Sequence, residues 1–148
     1  MKTLLLSAAV CALFVPAYAQ AQSTDLLKAA TDVNAKFWGG PAKVTASVID
    51  ENAIFEGLVP KRPLVSGRAN IEKVITEIEE KEGAAKWQFT TAQAIPMEGG
   101  SLAYASGTYG GSRTKPDGTA LQIKGFWIEM LKHEGNEWKI LVFTSARE

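Results

Sequence analysis

WQFTTAQAIPMEGGSLAYASGTYGGSRTKPDGTALQIKGFWIEMLKHEGNEWKILVFT, residues 87–144, reads as four long strands joined by tight turns, and its alternation decides the fold. Trp87, Phe89, Thr91, Gln93 and Ile95 share one side of the first strand, with Gln88, Thr90, Ala92 and Ala94 on the other. After a turn at residues 96–101, the second strand sets Ala103, Ala105, Gly107 and Tyr109 on one face and Leu102, Tyr104, Ser106 and Thr108 on the other. A face of glycine and alanine lets a packed neighbour approach closely, and a helix is the expected one. Gly110 and Gly111 suggest a bulge, and Pro116-Asp117-Gly118 a tight turn. The third strand, residues 119–133, is apolar on both faces, with Phe126, Ile128 and Met130 on one and Trp127 and Leu131 on the other. A sheet with one wet face does not need that, so a helix layer is expected on one side and a second subunit on the other. Glu134-Gly135-Asn136 then turns the chain into the last strand, residues 138–144.

Upstream, the period changes from two to 3.6. Ser23 or Thr24 can cap a helix whose Leu26, Ala30, Val33 and Phe37 fall on one face, with Asp25 favourably placed in its first turn. Gly39-Gly40 ends it, and Pro41 is suited to start a second helix over residues 41–50. Val44, Thr45, Val48 and Ile49 are β-branched, so a strand is the alternative there. Ile54 and Phe55 sit in a short extended segment. Pro60 and Pro63 then confine Leu64-Val65 to an edge or a loop. From Gly67, Ile71, Val74, Ile75 and Ile78 mark a third helix that stops at Gly83.

The first residues belong to export rather than to the fold. Lys2, an apolar run over residues 4–15 and Ala17-Tyr18-Ala19 form a secretory signal peptide cleaved near Ala19. The run is shorter than the roughly 20 residues a membrane span needs. Cys11 lies inside it, after Val10, where a lipoprotein would have a small residue. The organisation is therefore a signal peptide at 1–19 and one domain at 20–148, periplasmic or secreted, with no membrane partner. Loss of Lys2 leaves 15 basic against 16 acidic side chains and no cysteine. No basic excess exists to neutralise phosphates, so nucleic acid is not an expected partner, and neither thiol chemistry nor a disulfide is open to the mature chain.

The residues exclude most catalytic sets. His133, the sole histidine, lies in the last turn, so a Ser-His-Asp triad or a zinc site has no base or ligand set to draw on. The glycines at 107, 110 and 111 lack the lysine-serine ending of a phosphate loop. No metal and no cofactor is expected. Acid/base chemistry survives: Glu129 lies between Trp127 and Leu131 on an apolar strand, where desolvation raises a carboxyl pKa. Its ordinary alternative is an exposed or ion-paired carboxylate. Tyr109 can donate a hydrogen bond into a cavity or simply pack. Arg68 is a candidate anion contact or a surface arginine, and Trp38, Phe37, Phe55 and Trp127 can be core or cavity wall.

Five stretches carry a resemblance: ENAIF at 51–55, VSGRANI at 65–71, LAYASGTY at 102–109, GFW at 125–127 and GNEWKI at 135–140. In this order they resemble the nuclear transport factor 2-like superfamily, and more narrowly its SnoaL-like and ketosteroid isomerase-like group. The resemblance implies an α+β fold, a cone-shaped curved antiparallel β-sheet wrapped around N-terminal helices, with a pocket at the open end and a homodimer through the sheet face. Ala103, Ala105 and Gly107 would then face the helices. Function transfers less well, because the group contains isomerases, cyclases, dehydratases and non-catalytic modules. Many relatives carry an acid in the last strand after the tryptophan-lysine-isoleucine motif, and Phe143 matches that position. This favours a small apolar molecule bound in a cavity walled by Trp38, Phe55, Trp127, Phe143 and Arg68. The alternatives are a cofactor-independent isomerase or dehydratase using Glu129 and Tyr109, and a pure dimerisation or interaction module.

Overall fold

The computed structural model describes residues 24–59, 62–83, 85–97 and 99–148, with the side chains of 58, 59, 62 and 63 left aside. The expected signal peptide, Ser23 and Pro60 lie outside them. Among the described residues three helices, α1(Thr24–Gly39), α2(Ala42–Ser47) and α3(Arg68–Glu82), accompany six strands: β1(Ile49–Val59), β2(Arg62–Ser66), β3(Ala85–Pro96), β4(Leu102–Thr114), β5(Ala120–Glu134) and β6(Glu137–Arg147). No helix among the described residues is long and apolar enough to cross a membrane. The strands form one sheet in the order β2-β1-β6-β5-β4-β3, with β2, which contains Pro63, at an edge. The fold is the expected α+β cone, with two corrections to its expected layout.

The sheet is mixed rather than purely antiparallel. Strands β3 to β6 form the antiparallel meander read from the sequence, but β1 runs parallel to β6, pairing Phe55 with Phe143. A parallel pair needs a long crossover. Here the chain supplies β2, α3 and three meander strands between the two. The second correction shortens α2: it ends at Ser47, and Ile49 and Asp50 already belong to an eleven-residue β1. Both side chains of the β-branched Val48-Ile49 pair are buried, Val48 capping the helix and Ile49 already in the strand.

Helix α1 buries the stripe Leu26, Ala30, Val33 and Phe37, as its period dictates, and packs on β3. Inside the sheet, Phe37, Phe55 and Phe143 meet ring to ring at 5.0 to 5.6 Å. With Trp127, Ile49, Ile71, Leu131 and Ile140 they make the core. Within the meander, two bulges shift the alternation. One at Ala92 brings Ala94 to the same interior face as Trp87 and Phe89, opposite to the simple count. The other, at Leu141, lets Ile140 and Phe143 both point inward.

No bulge occurs at Gly110-Gly111, where pairing to both neighbours is continuous. Gly111 is required for another reason: a Cβ there would run into the Lys86 carbonyl and the Trp87 ring. Gly107 is likewise filled in, by the Thr90 carbonyl and the Trp127 indole. The small face of β4 therefore admits side chains of the neighbouring strands as well as the helix layer.

Candidate functional site

A cleft of about 470 Å³ opens between the C-terminal ends of α1 and α3 and the adjoining ends of β3, β4 and β6. One wall is a strip of rings. Trp38 stacks on Tyr109 with centroids 5.0 Å apart and planes 18° from parallel, and Tyr109 meets Trp87 edge-on at 5.8 Å. Trp87 can lie there because Gly111 gives up its Cβ position to the ring. Beyond Trp87 comes Arg113, whose guanidinium carbon stands 5.9 Å from the ring centroid. Ile75 and Ile78 of α3 face this strip across the cleft, and Glu82, at the end of the same helix, is ion-paired with Arg113. A broader groove of about 850 Å³ crosses the outer ends of β3, β4 and β5, where the exposed Lys86, Gln88, Gln122 and Lys124 stand beside Trp87, Leu121 and Ile123.

Beneath the cleft lies Glu129, 1% exposed. Its Oε1 accepts a hydrogen bond from Asn34 Nδ2 at 2.8 Å, while Oε2 is buried without a partner among the described residues. Asn34 is fully used: Nδ2 also donates to the Ala30 carbonyl at 2.9 Å, and Oδ1 accepts from Trp38 Nε1 at 3.1 Å. These partners fix the amide's orientation. Burial pushes the Glu129 carboxyl up to about 8, against a smaller opposing effect of the Asn34 hydrogen bond. Near neutrality the group holds its proton and has a free oxygen, the chemistry of a general acid or base. It does not line the cleft: Asn34 links it to Trp38, which does.

The expected site residues separate into three places. Trp38 and Tyr109 line the cleft. Phe55, Trp127 and Phe143 do not: each is completely buried, and close packing in the core leaves no wall for a ligand. Arg68 is elsewhere, at the start of α3, paired with the exposed Glu51 at 2.8 Å. Nor do Glu129 and Tyr109 form a pair. Tyr109 is opposite Gly125, four residues from Glu129 along β5, which at about 3.3 Å per residue separates their backbones by about 13 Å. The Tyr109 hydroxyl instead faces the Ala146 carbonyl at 3.4 Å. His133 is exposed, its ring 4.7 Å from that of Trp138. Among the described residues, no three His, Cys, Asp or Glu side chains converge as a metal site.

Reading the sequence missed Asn34, Trp87 and Arg113. An asparagine in the middle of an apolar helix face was the available signal, since a buried amide needs partners. Arg113 gives none, because the alternation read from the sequence carries the strand only to Tyr109, five residues short of its end at Thr114.

No protein-family profile matches the chain, and no curated protein matches it. Solved structures do. A candidate aromatic ring hydroxylase from Novosphingobium aromaticivorans superposes with a TM-score of 0.73 at 17% identity, over 83% of this chain and 89% of that one. A ketosteroid isomerase-like protein from Erwinia carotovora atroseptica gives 0.71 at 14%, over 82% and 92%. A type 2 hexachlorocyclohexane dehydrochlorinase gives 0.71 at 10%, over 84% and 90%. Helices packed on a six-stranded sheet are shared with these structures over four-fifths of the chain, so the protein has the α+β cone fold of the ketosteroid isomerase-like protein among them.

Proposed function

We propose that the protein is an exported binder of a small, largely apolar molecule, held in the cleft against Trp38, Tyr109 and Trp87. The aromatic strip carries this reading. It lines a cleft of about 470 Å³, within the range of roughly 300–1,000 Å³ usual for small-molecule sites, and the buried carboxyl lies outside it. Export rests on the charged, apolar and A-x-A segments of residues 1–19. A homodimer through the outer sheet face is supported by Phe126 and Ile128, 50% and 37% exposed on adjacent outward positions of β5. The binding test is thermal. A ligand of the native state raises Tm, so a panel of apolar ring compounds is expected to contain stabilisers whose effect grows with concentration. A panel with no stabiliser, together with no response from an apolar-site dye, ends the reading.

A second reading, a cofactor-independent isomerase or dehydratase, has one observation in its favour: the raised carboxyl of Glu129 with its free Oε2. It acts alone, without Tyr109, and requires the buried carboxyl to be uncovered. Such a base exchanges protons next to a carbonyl. Solvent deuterium entering the α-positions of cyclic ketones in the presence of the protein, and not with Glu129→Gln, is the expected sign. The same uncatalysed exchange in both disposes of it.

A further inference from the structure

We propose that the cleft selects an aromatic carboxylate and that Arg113 is the residue that takes the carboxylate. The inference rests on the binding reading above and adds a ligand class to it. The cleft wall is chemically directional. It runs from Trp38 through Tyr109 and Trp87, successive centroids 5.0 and 5.8 Å apart, to a guanidinium at its far end. A flat ring system laid along the strip meets apolar faces at one end and a cation at the other.

Arg113 has donors to spare. Its side chain is 8% exposed, yet among the described residues it makes one hydrogen bond, from Nη1 to Glu82. A guanidinium has five N–H donors. Nε is buried with no acceptor, and Nη2 has no hydrogen-bond partner among the described residues. A buried donor left unmatched is costly, and a planar carboxylate is the group that fits the fork of an arginine with two parallel bonds.

The partner already present is a weak competitor. Glu82 lies at the end of α3 with its side chain 52% exposed, so it can itself turn out into water, and the cost of the exchange falls on the buried Arg113, which the ligand carboxylate then pairs. A ligand carboxylate, covered by its own ring system and by the cleft, forms the less screened pair. The Glu82 carboxylate thus holds the arginine in place until the ligand displaces it.

Three probes test this on the purified protein by tryptophan fluorescence titration: 2-naphthoate, its methyl ester and 2-ethylnaphthalene. The carboxylate is expected to bind roughly ten- to a hundredfold more tightly than 2-ethylnaphthalene, with the ester between them. Arg113→Gln is expected to remove that advantage and leave 2-ethylnaphthalene unchanged. Because Arg113 is buried and that variant can fail to fold, Glu82→Gln, at a half-exposed helix end, gives an independent reading. It frees the guanidinium and is expected to tighten 2-naphthoate several-fold without affecting the hydrocarbon. If 2-ethylnaphthalene binds the native protein as well as 2-naphthoate does, or Glu82→Gln leaves 2-naphthoate unchanged, the carboxylate assignment is overturned while the binding reading stands. If none of the three binds, both are overturned.

Discussion

Asn34 Nδ2 donates to Glu129 Oε1 at 2.8 Å, joining the first helix to the fifth strand across 95 positions of sequence. That bond is the smaller of two influences on the carboxyl. Burial dominates and pushes its pKa from 4.5 up to about 8. The native state therefore holds a proton between these values that the unfolded chain has released. Stability is expected to be unaffected by this group below about pH 4.5, to fall between pH 4.5 and 8, and to level off above. A shift of this size corresponds to a loss on the order of 4–5 kcal/mol. Glu129→Gln keeps the shape and cannot ionise, so urea unfolding at pH 5, 7 and 9 should show a much flatter profile for the variant. Equal slopes would mean that Glu129 titrates normally.

Trp38→Phe keeps a ring against Tyr109 and removes the indole donor. Asn34 Oδ1 then stays buried with nothing to accept from, which costs about 1–3 kcal/mol. Urea unfolding at pH 7 measures it. A difference under about 0.5 kcal/mol would show that the bond contributes nothing and that Asn34 is held by its other two contacts alone.

The same residues show what a reader of the sequence can and cannot see. Periodicity exposed the stripe Leu26, Ala30, Val33 and Phe37 and the doubly apolar β5, because burial of a face repeats at the spacing of its element. It failed where one residue breaks the count. The bulges at Ala92 and Leu141 reverse the alternation beyond them, and nothing local marks either position. Pairing of β1 with β6 is likewise a long-range choice, invisible in either strand. The site was half legible. Glu129 stood out as a charge among apolar neighbours, but its partner Asn34 and the cleft residues Trp87 and Arg113 depend on which elements fold together.

Gly111 tests the packing account of β4. Its φ is not positive, so backbone strain plays no part; because the Trp87 ring and the Lys86 carbonyl occupy the Cβ position, Gly111→Ala must displace the ring. The expected cost is about 1–3 kcal/mol, as for other overpacked sites, with a change in the near-ultraviolet tryptophan signal. Gly118→Ala is a control of another kind: space is open there, but φ is +83°, so any loss comes from backbone strain alone and leaves the tryptophan signal unchanged.

Asp50, at the start of β1, is buried and accepts from Lys132 Nζ at 2.9 Å and from the Asn52 amide at 2.8 Å. The Lys132 hydrogen bond holds its carboxyl below the usual aspartate range. The stabilisation is present above about pH 3.8 and is lost as pH falls through the lowered native value. Asp50→Asn should cost roughly 1–2 kcal/mol at pH 7, and the gap to the native protein should close as pH falls through that lowered value. A gap that persists in acid would assign the loss to packing rather than to charge.

The outer sheet face yields the last expectation. Phe126 and Ile128 point away from the core, next to Thr108 and Ser106 on β4 and Ala146 and Thr144 on β6. Lysines at both positions leave the interior residues Trp127 and Glu129 untouched, so the variant Phe126→Lys with Ile128→Lys should keep its circular dichroism spectrum and its cleft. A dimer through this face would bring the four new charges of two chains together without water to screen them, a costly arrangement. Sedimentation equilibrium is therefore expected to find the native protein as a dimer and the variant as a monomer. A native protein that is monomeric at tens of micromolar, or a variant that associates as strongly, would assign these two side chains to no interface between copies of the chain.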